Sequence, residues 1–161
     1  MWREYFSQIA DLFKSYVFWS AFIGWFVCQL IKSLLACFNA PVGQRVKNFF
    51  AKFGATGGLP SSHSAVVIAL ATSLGFKQGF DSDVFILAFF LASIVIRDAV
   101  GVRLSNGEQA KTLNTLGKEV STKLGTDFSP VKEINGHTSF EVFVGAMIGL
   151  VSTVICVHIL I

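Results

Sequence analysis

Charge is scarce in this chain: 14% of its 161 residues are charged, against 53% that are hydrophobic. A soluble domain carries nearer a quarter charged residues. The mean hydropathy is +0.62, and the apolar residues come in long blocks, which favours a bilayer over an unusually apolar soluble core. Cysteine is scarce too. Cys28, Cys37 and Cys156 sit in apolar stretches without ligand-like spacing, and their odd number argues against a disulfide framework, so they read as small hydrophobes. The net charge of +3 is too weak to suggest nucleic acid. The first fifteen residues lack the continuous apolar core of a cleaved signal. No internal repeat or low-complexity tract is visible.

What the chain does hold is aromatic and apolar residues in helical patterns, 17 of them phenylalanine. Residues 1–15 carry Trp2, Tyr5, Phe6, Ile9, Leu12 and Phe13 as an amphipathic stripe suited to a membrane interface. Residues 16–38 form the first apolar run long enough to cross a bilayer. Within it Gln29 and Lys32 share a helix face, and a lysine at that depth has to snorkel or face a polar cavity. In the connector that follows, Val42, Val46, Phe49, Phe50 and Phe53 alternate with Arg45, Lys47 and Lys52, the pattern of a basic interfacial helix. Further apolar helices are expected at 62–76, which is short for a span, at 84–100 and at 140–161. Residues 101–137 read as a polar connector containing one amphipathic stretch, with Ala110, Leu113, Leu116, Val120 and Leu124 on one side.

The fold class is therefore all-α: a polytopic membrane helix bundle of about four spans plus interfacial amphipathic helices, with residues 1–161 as a single membrane domain. Four crossings put both termini on one side. Most lysines and arginines fall in the two large connectors, so the positive-inside rule makes these cytoplasmic and leaves both termini outside.

Three motifs fall at the connector face. Gly57 to Ser64 breaks the chain and opens a helix, where free N–H groups and the helix dipole form an anion site; Ser61 or Ser62 can cap it, and His63 lies in its first turn. Arg97, Asp98 and Arg103 close the third run, where such charges need to pair or to bind something; the simplest arrangement pairs Arg97 with Asp98 and lets Arg103 snorkel. The stretch from Lys132 to Glu141 includes Gly136 and sets His137 and Glu141 four residues apart, so that a carboxylate can fix an imidazole tautomer and raise its basicity. Together the three suit binding of a phosphate and its transfer to a histidine. Asp98, Glu133 and Glu141 are the available carboxylates for Mg²⁺. A metal hydrolase calls for more carboxylates or a histidine cluster at ligand spacing, so no metal site is expected.

Pro60-Ser61-Ser62-His63 resembles the P-S-G-H motif of the type 2 phosphatidic acid phosphatase and vanadium haloperoxidase superfamily, and His137 to Glu141 resembles its H-x-x-x-D motif. Gly57 to Ala65, with Asp98 to Arg103 and Gly136-His137-Thr138, is more similar still to the divergent bacterial and plastid branch described as acid-phosphatase/haloperoxidase-related. The likeness extends over roughly residues 20–155. The departures are specific. Asn39 falls where the K-x6-R-P motif, entered at Lys32, has arginine. Glu141 replaces aspartate and Ser62 replaces glycine. The arginine of the third motif has to come from Arg97 or Arg103, far upstream of His137.

The resemblance implies a membrane phosphatase acting on a lipid phosphate or an isoprenoid phosphate or pyrophosphate, without a cofactor. By it, His137 is the nucleophile, Glu141 orients it, and His63 is the acid and base. Lys32, Arg97, Arg103 and Lys132 neutralise phosphoryl oxygens, Ser61 and Ser62 also bind the phosphate, and Gln29, Asp98 and Gly136 support the site. The expected location is a bacterial inner (plasma) membrane. The expected partners are the substrate, membrane lipids and a second copy in a homodimer, since four helices are few to enclose a pocket. The alternative is a non-catalytic binder or transporter of lipid phosphate.

Overall fold

The computed structural model describes residues 2–54, 57–133 and 136–160. Among them there are helices and turns and no strand. The helices are α1 (Trp2–Leu12), α2 (Tyr16–Phe38), α3 (Arg45–Lys52, entered through a 3-10 turn at Val42–Gln44), α4 (Ser62–Gln78), α5 (Asp83–Val100), α6 (Val102–Leu124) and α7 (Ser139–Leu160). Among the described residues, three segments are long and apolar enough to cross a membrane: α2, the α5–α6 helix by its α5 part, and α7. The fourth helix of the bundle, α4, has 17 residues and runs about 25 Å. It is the central one, packing on α2, α5 and α7.

Small residues explain how three backbones come so close. α4 presents Ser61, Ala65, Ala69 and Ser73 every four residues, and α7 presents Gly145, Gly149 and Thr153 at the same spacing. The two helices run parallel and in register. Gly145 lies on the Ser61 backbone, Gly149 on the Ala65 backbone, and the Thr153 hydroxyl donates to the Ala69 carbonyl (3.2 Å) and the Gly149 carbonyl (3.0 Å). Gly24 of α2 enters the same junction, opposite Ala65 and Gly149. In lipid, where burial of apolar surface drives little, such close approach supplies the van der Waals contact that holds helices together.

Large apolar side chains accordingly point outward. Leu87, Phe90 and Ile94 on α5 and Phe143, Val154 and Ile159 on α7 are exposed, while the buried set is dominated by Ser, Ala, Cys, Gly and Thr. This inversion of the soluble pattern is what a lipid solvent asks for.

Two connectors depart from a simple loop reading. α3 doubles back, so that Phe53 packs edge-on against Trp25 and Phe26 in the middle of α2. Residues 102–124 form a helix of 23 residues, longer than the amphipathic stretch legible in the sequence, and Leu113, Leu116, Val120 and Leu124 on it are exposed. The chain then returns along α6. Asn114 holds the return: its amide donates to the Val131 carbonyl and to Glu133 Oε1 (both 2.9 Å) and accepts from the Val131 N–H (2.9 Å).

Candidate functional site

α4 and α7 both begin at the same end of the bundle, which brings their motifs together. Ser61 is the N-cap of α4; its Oγ accepts from the Ser64 N–H (3.4 Å) and the Ser64 hydroxyl (2.9 Å). Its own N–H donates to the Glu141 carbonyl at 3.0 Å. Ser61 is fully buried and its role is to join the two helix starts. The next residue, Ser62, faces α2 and accepts a hydrogen bond from Lys32 Nζ at 3.2 Å.

Thr138 and Glu141 close a capping box. The Thr138 N–H donates to Glu141 Oε2 (3.0 Å), and the Glu141 N–H donates to Thr138 Oγ1 (3.3 Å). The T-x-x-E spacing was available in the sequence as this signal, and it fixes the carboxylate. The same Oε2 lies 3.2 Å from His137 Nδ1. An ionised carboxylate only accepts, so in this contact Nδ1 is the donor and Nε2 is the ring nitrogen left for chemistry. The His137 N–H donates to the Ala99 carbonyl at the end of α5 (3.1 Å), and Gly136 passes so close to the Leu104 and Arg103 backbone that a Cβ would collide. A buried His137 is thus locked in place from α5, α6 and α7.

The cations divide. Lys32 is 6% exposed, and among the described residues no carboxylate lies within ion-pair range of it. Arg103 is paired with Asp98 (Nε to Oδ2, 2.6 Å), reaching back across the break at Gly101, in place of the Arg97–Asp98 pairing expected from adjacency. Both members of that pair are more than one-third exposed, so it contributes little to stability. Arg103, Lys32 and Asp98 are near enough for their charges to act on the His63 ring, and His137 is close enough to couple with it. Arg97 and Lys132 are exposed, and the cavities described next are lined neither by them nor by Lys32, Arg103 or His137; Lys32 borders the first through Ser62, and His137 the second through Glu141 and Gly136. Ile134 and Asn135, between Lys132 and His137, lie outside the described residues. The three candidate carboxylates for a cation turn to different partners: Asp98 to Arg103, Glu133 to Asn114, Glu141 to His137.

Two cavities open on this cluster. One, of about 290 Å³, is lined by Ser62, His63 and Gln29 with Trp25, Val66, Val67 and Val95 as apolar walls and Gly54 at its edge. The other, of about 320 Å³, is more polar and is lined by Glu141, Gly136, Gly58, Leu104 and Gly107 with Glu108 and Lys111 of α6. Trp25, Val95, Glu108 and Lys111 had no local sequence signal; they reach the site through the packing of α2 and α5 and through the break between α5 and α6.

The chain is 37% identical over 114 residues to the uncharacterized membrane protein YuiD of Bacillus subtilis (strain 168), a match covering 64% of this chain and 72% of that protein. No solved structure matches it. The family described as Divergent PAP2 matches residues 13–152, so a membrane bundle that brings His63, His137 and Glu141 to one end belongs to the divergent PAP2 family.

Proposed function

We propose that this protein is a membrane phosphatase that hydrolyses a lipid-linked phosphate or pyrophosphate through a phosphohistidine. The observation that supports this most is Lys32. A buried cation with no carboxylate in direct contact, Glu141 acting on it only from further away, is costly unless an anion comes to it, and this one reaches the start of α4 in a site that also holds an oriented histidine. Membership of the divergent PAP2 family supports the same chemistry.

In the first step His137 Nε2 attacks phosphorus, the bond from phosphorus to the lipid oxygen breaks, and His63 gives that oxygen its proton. In the second, water attacks phosphorus, His63 takes a proton from it, and the P–N bond breaks to release inorganic phosphate. Lys32 and Arg103 neutralise the phosphoryl oxygens throughout, and Glu141 stabilises the charge on the His137 ring.

A second reading, a non-catalytic binder or transporter of lipid phosphate, is favoured by the Arg103–Asp98 pair, which leaves fewer free cations around the phosphate. Purified protein offered phosphatidic acid, lysophosphatidic acid and isoprenoid phosphates should release inorganic phosphate from at least one. Lys32→Met should cut that release by about tenfold or more. Binding without release would favour the second reading, and absence of both would remove the two together.

The location belongs to the same proposal: a bacterial inner membrane, the connectors cytoplasmic and both termini outside, as the lysine and arginine bias argues. A thiol introduced by Lys118→Cys should react with a membrane-impermeant reagent only after the cells are opened. Labelling on intact cells would reverse the orientation.

A further inference from the structure

Gln29 is 4% exposed, and among the described residues its Oε1 has no hydrogen-bond partner. It stands one turn before Lys32 on the same face of α2 and lines the cavity that His63 and Ser62 also line. An orphaned amide oxygen beside a ligand-sized space is a group set to accept a hydrogen bond from what enters. The space is small, about 290 Å³. Its walls Trp25 and Val66 are shared with an apolar groove of about 400 Å³, bounded by Val17, Phe18, Phe22 and Leu70. The cavity and the apolar groove on the outside of α2 and α4 therefore adjoin at Trp25 and Val66, and Lys32 meets the cavity through Ser62, whose hydroxyl accepts from its ammonium.

We propose that Gln29 is a specificity residue, accepting a hydrogen bond from a hydroxyl carried next to the phosphate of a single-chain lipid phosphate, whose chain continues past Trp25 and Val66 into the groove. This rests on the lipid-phosphate reading above and adds the part of the ligand it recognises. A site that hydrogen-bonds a substrate hydroxyl discriminates against the analogue lacking it, because its own polar group is then left unpaired. Gln29 adds no charge, so it bears on which phosphate is held, not on whether phosphate is held.

The test uses the full-length protein in nanodiscs and two probes differing by one hydroxyl: 1-O-dodecylglycerol 3-phosphate and its deoxy analogue 3-(dodecyloxy)propyl phosphate. Binding is read from tryptophan fluorescence, since Trp25 lines the cavity. Wild type should bind the hydroxylated probe about tenfold more tightly. Gln29→Leu should bring the ratio to about one while holding the deoxy probe as well as before. Gln29→Met, which keeps the side-chain length, gives the same readout should the leucine variant fail to fold. Equal affinity of wild type for both probes, or a preference that survives in the variants, overturns the role of Gln29 and leaves the phosphate reading standing. Binding of neither probe to wild type overturns the phosphate reading and this inference with it.

Discussion

Phosphate release should fall by about 10⁴-fold or more when His137 is replaced by alanine, because the proposed reaction then has no atom on which to carry the phosphoryl group. Binding of the lipid phosphate should persist, since Lys32 and Arg103 stay in place. Glu141→Gln separates chemistry from folding. Glutamine also serves in a capping box, so the start of α7 should hold; the charge that stabilises the His137 ring in the transition state is gone, and release should fall by about 10²-fold or more. His63→Ala should lose about 10²- to 10⁴-fold, as expected for a general acid and base. His158 provides the control. It is exposed near the far end of α7, about 30 Å along the helix from His137, and His158→Ala should leave release unchanged. Phosphate assays on the four variants, with acid-labile labelling of the protein by a radioactive lipid phosphate, decide the matter. Activity surviving in His137→Ala, or label retained there, would sink the phosphohistidine.

The parts of this site that were legible in the sequence are those encoded locally. Glu141 stands four positions after His137, a helix starts after Pro60, and both facts follow from spacing and breakers alone. The long apolar runs around Tyr16–Phe38 and Ser139–Leu160 are equally plain, because lipid demands length and apolarity in one stretch. Less was legible where two distant segments decide the outcome. Asp98 takes Arg103 as its partner because the helix breaks at Gly101, where the backbone turns out of helical geometry, and no residue pattern announces that turn. Ser61 reads as an anion-site residue by its neighbours Ser62 and His63, yet it is spent on joining α4 to α7 through the Glu141 carbonyl. The polar stretch after α5 reads as a connector because its stripe is interrupted by polar residues; it extends as α6 with Asn114 fastening the returning chain, a contact between residues 17 apart. Hydropathy likewise leaves α4 as a weak candidate. Its serines and alanines lower the apolar score for the same reason that they suit the centre of the bundle: they let α7 come close.

That closeness makes Gly149→Val the most damaging single change expected away from the chemistry. A Cβ at Gly149 would overlap the Ala65 carbonyl oxygen and come within 3.0 Å of its carbonyl carbon and Cα. These are backbone atoms of a helix packed on three sides, so α4 and α7 have to separate. Overpacking of a tight core costs roughly 1–3 kcal/mol and sometimes more, and valine adds two methyl groups beyond the first collision. The cost should fall at about 3 kcal/mol or above, with Gly149→Ala intermediate. Gly24 faces the same junction, but a Cβ there would meet Gly149 Cα and the Ala65 oxygen at 3.6 Å, an ordinary contact, so Gly24→Ala should be nearly neutral. The function should follow the packing. His63 is carried by the start of α4 and His137 by the residue before the cap of α7, and only the parallel register of the two helices sets them at one level. Separating the helices therefore loosens the Ser61–Glu141 backbone bond and the site with it. Thermal unfolding in detergent, followed alongside phosphate release, should rank wild type and Gly24→Ala together, then Gly149→Ala, then Gly149→Val. A Gly149→Val protein as stable and as active as wild type would mean that α4 and α7 do not meet through this glycine seam.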